Sequence, residues 1–256
     1  MQARIINISG AINLRDFGGY ETATGQHVRS GLLFRSGALA HLTPDGQAAF
    51  AQLGIQLICD LRRDDEKREE PTPMPHGNPQ RLEIPIDPGS ASALSAGITD
   101  DSLTARQRID LMVQINHELA RDHSDDYAQM FAGLLELQDG GFLVHCAAGK
   151  DRTGFACALI LHALGVPEQT VLNDYLLTNQ SLDYERFLLP KLKARFGDAI
   201  ALDRESVMAL AGVRPEYLHA AYSAIEADFE GVEHYIEEAI GLDTSARARL
   251  RQRYLI

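Results

Sequence analysis

The stretch GFLVHCAAGKDRTGFA, residues 141 to 156, decides how this chain is read. FLVHC is a short apolar run entered from the turn-forming QDGG, the pattern of a buried strand. Residues Thr153 to Leu164 read as a helix, so the stretch predicts strand, tight loop, helix. That order aims several backbone N–H groups at one point, and the helix dipole adds partial positive charge there. An oxyanion fits such a point. Gly149 permits backbone angles that other residues avoid, and Gly154 opens the helix with little bulk. Cys146 sits where a helix N-terminus and a nearby cation both favour the thiolate. Arg152 offers planar bidentate hydrogen bonds to two oxygens, a geometry that lysine does not reproduce. The run Cys146, Ala147, Ala148, Gly149, Lys150, Asp151, Arg152 is therefore the expected phosphate cradle, with a nucleophile beneath it.

Plainer readings compete. A free cysteine is most often a small buried hydrophobe, and that reading holds for Cys59 in IQLICDL and for Cys157 in FACALILHAL. Cys146 differs by the company it keeps. A nucleotide P-loop fails, because Val144 stands where a glycine is required and Asp151 where a hydroxyl is required. His145 is poorly placed as a protease-like base for Cys146, since neighbouring strand residues point to opposite faces.

Outward from this stretch, LTPDGQAAFAQLG predicts a helix capped by Thr43 with Pro44 at its first position. It leads into Ile55 to Leu61, a buried strand followed by RRDDEKREE, which reads as a solvated face of interspersed charges. PTPMPHGNP is a loop, and RLEIPID is a strand ending at Asp87. Residues 88 to 103 shift toward Ser, Ala, Gly and Asp, and TARQRIDLMVQINHELARD then spaces Ile109, Met112, Val113 and Leu119 for a helix. A second helix, Asp125 to Leu137, gathers Tyr127, Met130, Phe131, Leu134 and Leu135 on one side. Residues 88–138 thus form a lid-like helical insertion, and 165–256 a mainly helical C-terminal part. Strands alternate with helices early and helices dominate late. The expected class is α/β, with a small central parallel or mixed sheet flanked by helices, in a single domain, 1–256.

With 24 basic and 36 acidic residues, net -12, the chain lacks the basic balance of a nucleic-acid binder. Three cysteines without CxxC pairing suggest neither a disulfide framework nor a zinc site. Met1 to Ile12 does not pattern as a secretory leader and no run is long enough for a membrane span, so a cytoplasmic protein without stable membrane insertion is expected.

HCAAGKDRTG resembles the HCx5R[ST]G signature loop of the protein tyrosine phosphatase superfamily. Its Ala-Gly-Lys-Asp-Arg string is similar to that of the bacterial tyrosine/serine phosphatases, which include dual-specificity and phosphoinositide-hydrolysing enzymes. NLRDFGGY at 13–20, LLFRSGAL at 32–39, LGIQLICDLRRDDE at 53–66, VRPEYLHAAYSAIE and YIEEAIGLD resemble that family too, in order along nearly the whole chain. The resemblance implies a tyrosine phosphatase-like fold and metal-independent, cofactor-free hydrolysis of phosphomonoesters. It implies that Cys146 forms a cysteinyl-phosphate, that Arg152 binds the equatorial oxygens, and that Thr153 hydrogen-bonds the sulfur, a hydroxyl that otherwise serves as a helix cap. The expected partner is a phosphorylated protein or a phosphoinositide, with phosphotyrosine, phosphoserine, phosphothreonine and inositol phosphates all in range.

The leaving oxygen needs a proton. Many tyrosine phosphatases draw it from a Trp-Pro-Asp loop, and this chain has no tryptophan. Asp151 ranks first as the acid, Asp87 second and Asp60 third; Asp60 could instead hold the loop or Arg152, and each has the ordinary alternative of a cap or salt-bridge carboxylate. Lys150 reads as a second cation for substrates with several phosphates, or as a solvated lysine. Arg15 and Arg35 either structure the pocket or face solvent. Two other functions compete: a non-catalytic phosphate- or phosphoinositide-binding module, and a rhodanese-like sulfurtransferase. The Arg152-Thr153-Gly154 trio and the long helical tail weigh against the sulfurtransferase, and the nucleophile against a pure binder. Turnover separates them.

Overall fold

A computed structural model describes residues 4–73, 78–99, 103–183 and 204–256. Parts of the expected loop at 71–79, of the 88–138 insertion and of the 165–256 helical part lie outside the described residues, at 74–77, 100–102 and 184–203. Strands β1 (Arg15–Asp16), β2 (Leu33–Ser36), β3 (Ile55–Asp60), β4 (Gln80–Glu83) and β5 (Gly141–His145) form one sheet in the order β1-β2-β5-β3-β4. β1 runs antiparallel to β2 and the remaining pairs are parallel, so the protein is α/β with a mixed five-stranded sheet.

The parallel strands read as continuous apolar runs because both of their faces are covered. Phe142 and Val144 of β5 join Leu57 and Cys59 of β3 in the larger core, while Leu143, Ile58 and Phe34 of β2 join the smaller one on the opposite face. A bulge between Ile55 and Leu57 lets Ile55 share the smaller core with Ile58 despite their odd spacing. The register brings Ser36, His145 and Asp60 level at the carboxyl ends of β2, β5 and β3, the edge at which open α/β sheets hold their ligands.

Helix α1 (Pro44–Ala51) starts as expected, with Gly46 N donating to Thr43 Oγ1 at 3.1 Å. The charged run after β3 is not merely a solvated face: Asp64–Glu69 form a short helix, α2. Next come α3 (Ser90–Thr99), α4 (Ala105–Asp122) and α5 (Ser124–Glu136). A capping box between Thr104 and Gln107 opens α4, whose Ile109, Met112, Ile115 and Leu119 are buried as it packs on α3 and on two later helices, α9 (Arg204–Ala211) and α10 (Pro215–Asp228).

Between them lie α6 (Asp151–Ala163), α7 (Glu168–Leu176) and α8 (Thr178–Ser181), and the chain ends with α11 (Val232–Glu238) and α12 (Thr244–Tyr254). α6 is apolar on every side because it runs through the centre, with every residue from Thr153 to Ala163 buried between the sheet, α4, α7, α10 and α11. Truncating one of its buried leucines, Leu159→Ala, would cost about 2–5 kcal/mol. No helix among the described residues is long and apolar enough to cross a membrane.

Candidate active site

β5 stops at His145 and α6 starts at Asp151, and Cys146 to Lys150 turn between them. The turn is pressed onto the end of β2. Gly149 has φ +69°, and a Cβ there would fall 2.3 Å from Ser36 O and 2.6 Å from Gly37 N. Only glycine brings the chain this close.

The loop's carbonyls are tied back to that side. Asn13 Nδ2 donates to Ala148 O at 3.2 Å and to Gly149 O at 2.7 Å, Arg35 Nη2 to Gly149 O at 3.0 Å, and Ala38 N to Ala147 O at 2.8 Å. In a trans peptide the N–H points opposite to the C=O. The N–H groups of Ala148, Gly149 and Lys150 therefore turn away from this scaffold, beside the first amides of α6, which have no acceptor within the helix.

Behind the loop, Arg15 and Arg35 are fully buried around Asp174 of α7. Arg35 Nη1 lies 2.9 Å from Asp174 Oδ2, Arg15 Nε 3.7 Å from Oδ1, and Tyr20 OH donates to Oδ1 at 3.0 Å. Arg15 Nη2 also donates to Thr178 Oγ1 and to the Asp174 carbonyl, both at 3.1 Å. Burial alone would raise the Asp174 carboxyl, but the two guanidinium groups outweigh it and hold it below the usual range. Burial and the neighbouring Arg35 bring Arg15 down to about 10, still cationic at neutral pH. Two cations against one anion leave one net positive charge behind the loop, so both arginines whose place the sequence left open belong to its support.

Arg152, in the first turn of α6, meets Glu66 of α2 in a two-pronged pair, Nη1 to Oε2 at 2.7 Å and Nη2 to Oε1 at 2.8 Å. Nη1 also reaches Leu61 O at 3.2 Å and Ile86 O at 3.3 Å. Burial pushes the Glu66 carboxyl up, but the Arg152 hydrogen bonds and charge prevail and hold it low; Arg152 is correspondingly raised by Glu66 and then Cys146, against its own burial. Glu66 is a site residue that the sequence reading missed. A local clue was present: Glu66 also accepts from Arg63 N at 2.9 Å, the reciprocal half of a helix-start box.

Cys146 is 2% exposed at the floor of the turn, and the Thr153 hydroxyl is buried without a hydrogen-bond partner. Cys59 and Cys157 are buried core thiols, with desolvation pushing Cys157 up to about 12. Asp151 and Lys150 stand at the loop's exit, Lys150 Nζ 3.1 Å from Asp151 Oδ2. Asp87 follows β4 at the surface, its side chain 68% exposed and 3.7 Å from Arg63 Nε. Asp60 is spent elsewhere: its carboxylate accepts from Arg62 N at 3.0 Å and Arg62 Nη2 at 2.7 Å, and lies 3.5 Å from His145 Nε2. Glu66, rather than Asp60, holds Arg152. Burial lowers His145 further than Asp60 raises it. Among the described residues no cluster of three His, Cys, Asp or Glu is placed to hold a metal ion.

A sequence model described as the tyrosine phosphatase family matches residues 6–256. The chain belongs to the tyrosine phosphatase family. A relative from Cupriavidus necator, whose name puts it among the tyrosine-protein phosphatases, is 34% identical over 249 residues, covering 95% of this chain and 85% of its own. The triple specificity protein phosphatase PtpB of Mycobacterium tuberculosis is 30% identical over 279 aligned residues, covering 95% of this chain and 96% of its own. The solved structure of TpbA from P. aeruginosa with pTyr is 15% identical and spans 73% of this chain and 91% of that one, at a TM-score of 0.32, a likeness that does not bear on residue roles. The protein is thus a phosphatase of this family, acting on phosphorylated substrates.

Proposed function

We propose that this phosphatase hydrolyses phosphomonoesters through a covalent phosphate on Cys146. The observation that carries the proposal is Cys146 at the floor of a turn whose carbonyls are tied back and whose Arg152 is locked by Glu66. The fork spends Nη1 and one proton of Nη2, leaving the Nε–H and the other Nη2 proton as a parallel pair for two phosphate oxygens. In the first step the thiolate attacks phosphorus, the S–P bond forms, and the P–O bond to the leaving group breaks while Asp151 gives that oxygen its proton. In the second step water attacks phosphorus, Asp151 takes its proton, and the S–P bond breaks to return the thiolate and inorganic phosphate. Thr153, its hydroxyl free of other partners, stabilises the departing sulfur. The charge behind the loop and the amides of α6 stabilise the trigonal-bipyramidal dianion.

Phosphotyrosine is the leading substrate, in keeping with the family. Phosphoserine, phosphothreonine and phosphoinositides are the further substrates, in keeping with a relative named for triple specificity. Single-turnover reaction with p-nitrophenyl phosphate, followed by mass spectrometry of the quenched protein, tests the chemistry. The expected result is a phosphate adduct on Cys146 and no turnover in Cys146→Ser. Turnover that survives in the serine variant would overturn it.

A further inference from the structure

Each oxygen of Asp151 has a side-chain donor near it, one from the last residue of the turn and one from α4. Lys150 Nζ is 3.1 Å from Oδ2, and Asn116 Nδ2, projecting from α4, is 3.5 Å from Oδ1. Neither partner drifts in solvent. Asn116 is 1% exposed, and its amide nitrogen also donates to Met112 O at 2.9 Å, which fixes the direction of its second N–H. Lys150 is 7% exposed, donates to Gly212 O at 3.3 Å in the α9–α10 junction, and lies 6.0 Å from the centroid of the Tyr217 ring. Its ammonium is engaged by protein groups, whereas the sequence offered either a second cation for substrates with several phosphates or a solvated lysine. A polar asparagine buried on the apolar face of α4, beside Ile115 and Met112, costs stability unless its amide is used.

We propose that Asn116 and Lys150 are positioning residues that orient Asp151, so that α4 and the α9–α10 junction govern the acid of the reaction. This rests on the reading of Asp151 as that acid. A cation and an N–H donor both favour a carboxylate over a carboxylic acid. The ionised form is the one that accepts a proton from water in the second step. Among the described residues, Arg152 from its own helix, Tyr175 of α7 and Tyr217 of α10 also feel the charge of Asp151; both phenols are kept neutral, first by burial and next by Asp151 itself.

The test is the pH profile of kcat/KM in the full-length protein, measured with p-nitrophenyl phosphate and with phenyl phosphate, whose phenolate is the poorer leaving group. Asn116→Asp sets a second carboxylate against Asp151, and Lys150→Met removes the cation. In either variant the limb reporting the acid should move to higher pH by about one unit, a tenfold change in proton affinity. Above the wild-type limb, where the variant keeps the proton about one unit longer, the rate ratio between the two substrates should change about tenfold. Adding either substitution to Asp151→Asn should change nothing further. Lys150→Met keeps the test alive if Asn116→Asp does not fold. A limb that stays put in a folded variant, with wild-type turnover and the Cys146 adduct intact, overturns the positioning role. A limb that survives in Asp151→Asn overturns it as well, while leaving the cysteine chemistry standing. Absence of turnover and adduct in the wild type would instead sink the phosphatase chemistry on which the proposal rests.

Discussion

Asp174→Asn tests the support behind the Cys146–Lys150 loop most directly. The substitution keeps the side chain's size, so no cavity opens, but it removes the carboxylate that Arg15 and Arg35 share at full burial. Breaking a buried ion pair by removing one partner costs about 3–5 kcal/mol, because an uncompensated charge stays behind. Here both guanidinium groups keep other acceptors, Gly149 O for Arg35 and Thr178 Oγ1 for Arg15, and the asparagine still offers one oxygen. The low end, about 3 kcal/mol, is therefore expected. For a chain of 256 residues each kcal/mol moves Tm by about 2–4 °C, so the melting point should fall by roughly 6–12 °C. The carboxyl is depressed in the folded state, so its contribution is complete above the unfolded carboxylate pKa and disappears as pH falls through the lower folded value. Wild type and variant should accordingly converge in acid. Calorimetric melts of both proteins at neutral pH and near pH ~3 supply the four numbers needed. A drop of under about 2 °C at neutral pH, or a gap that widens in acid, would refute the reasoning.

Glu66→Gln should leave Arg152 charged but unlocked, and kcat/KM for p-nitrophenyl phosphate should fall about a hundredfold, as displacement of an orienting group by an ångström commonly does. Arg152→Lys cannot supply the two-pronged pair and should lose at least as much, with inorganic phosphate inhibition weakened in parallel. Gly149→Ala places a methyl against Ser36 O in a left-handed backbone and should abolish turnover while costing about 1–3 kcal/mol in urea unfolding. His162 hydrogen-bonds Tyr222 OH at 2.9 Å, and burial lowers its pKa to about 4. Its neutral form is the stable one, so the stability tied to it is complete above pH ~6.5 and is lost as pH falls toward 4, roughly 3 kcal/mol in all. His162→Gln should flatten that part of the urea-stability profile.

The strand, turn and helix of the candidate site were legible because strand, thiol, glycines, arginine and helix lie in sixteen consecutive residues, 141–156, where local rules suffice. Glu66 was not. Its partner Arg152 is 86 positions away, and one carboxylate in a run of alternating charges carries no periodic mark of burial. Asp174 was hidden in the same way, since VLNDYLL reads as an ordinary helix whose single aspartate would normally face water. The sheet order too was out of reach: β5, last in sequence, sits between β2 and β3, a choice made by which apolar faces must be covered on both sides. Lys150 shows the converse. Its place in the turn was clear, but the direction of its long side chain depends on Gly212 and Tyr217, which the fold brings from 62 and 67 positions downstream.

The unbalanced cation behind the turn also shapes how substrate arrives. The chain carries a net charge of -12, so an approaching anion first meets a repulsive far field. It feels the attraction of the loop only inside the screening length, about 10 Å at 0.1 M salt. Electrolyte thins the outer barrier while scarcely weakening charges already shielded from solvent. Capture of a small phosphate dianion should thus quicken as ionic strength rises from low values, the reverse of the usual behaviour of enzymes that steer their substrates. A phosphopeptide flanked by basic residues would carry its own passport through the acidic halo.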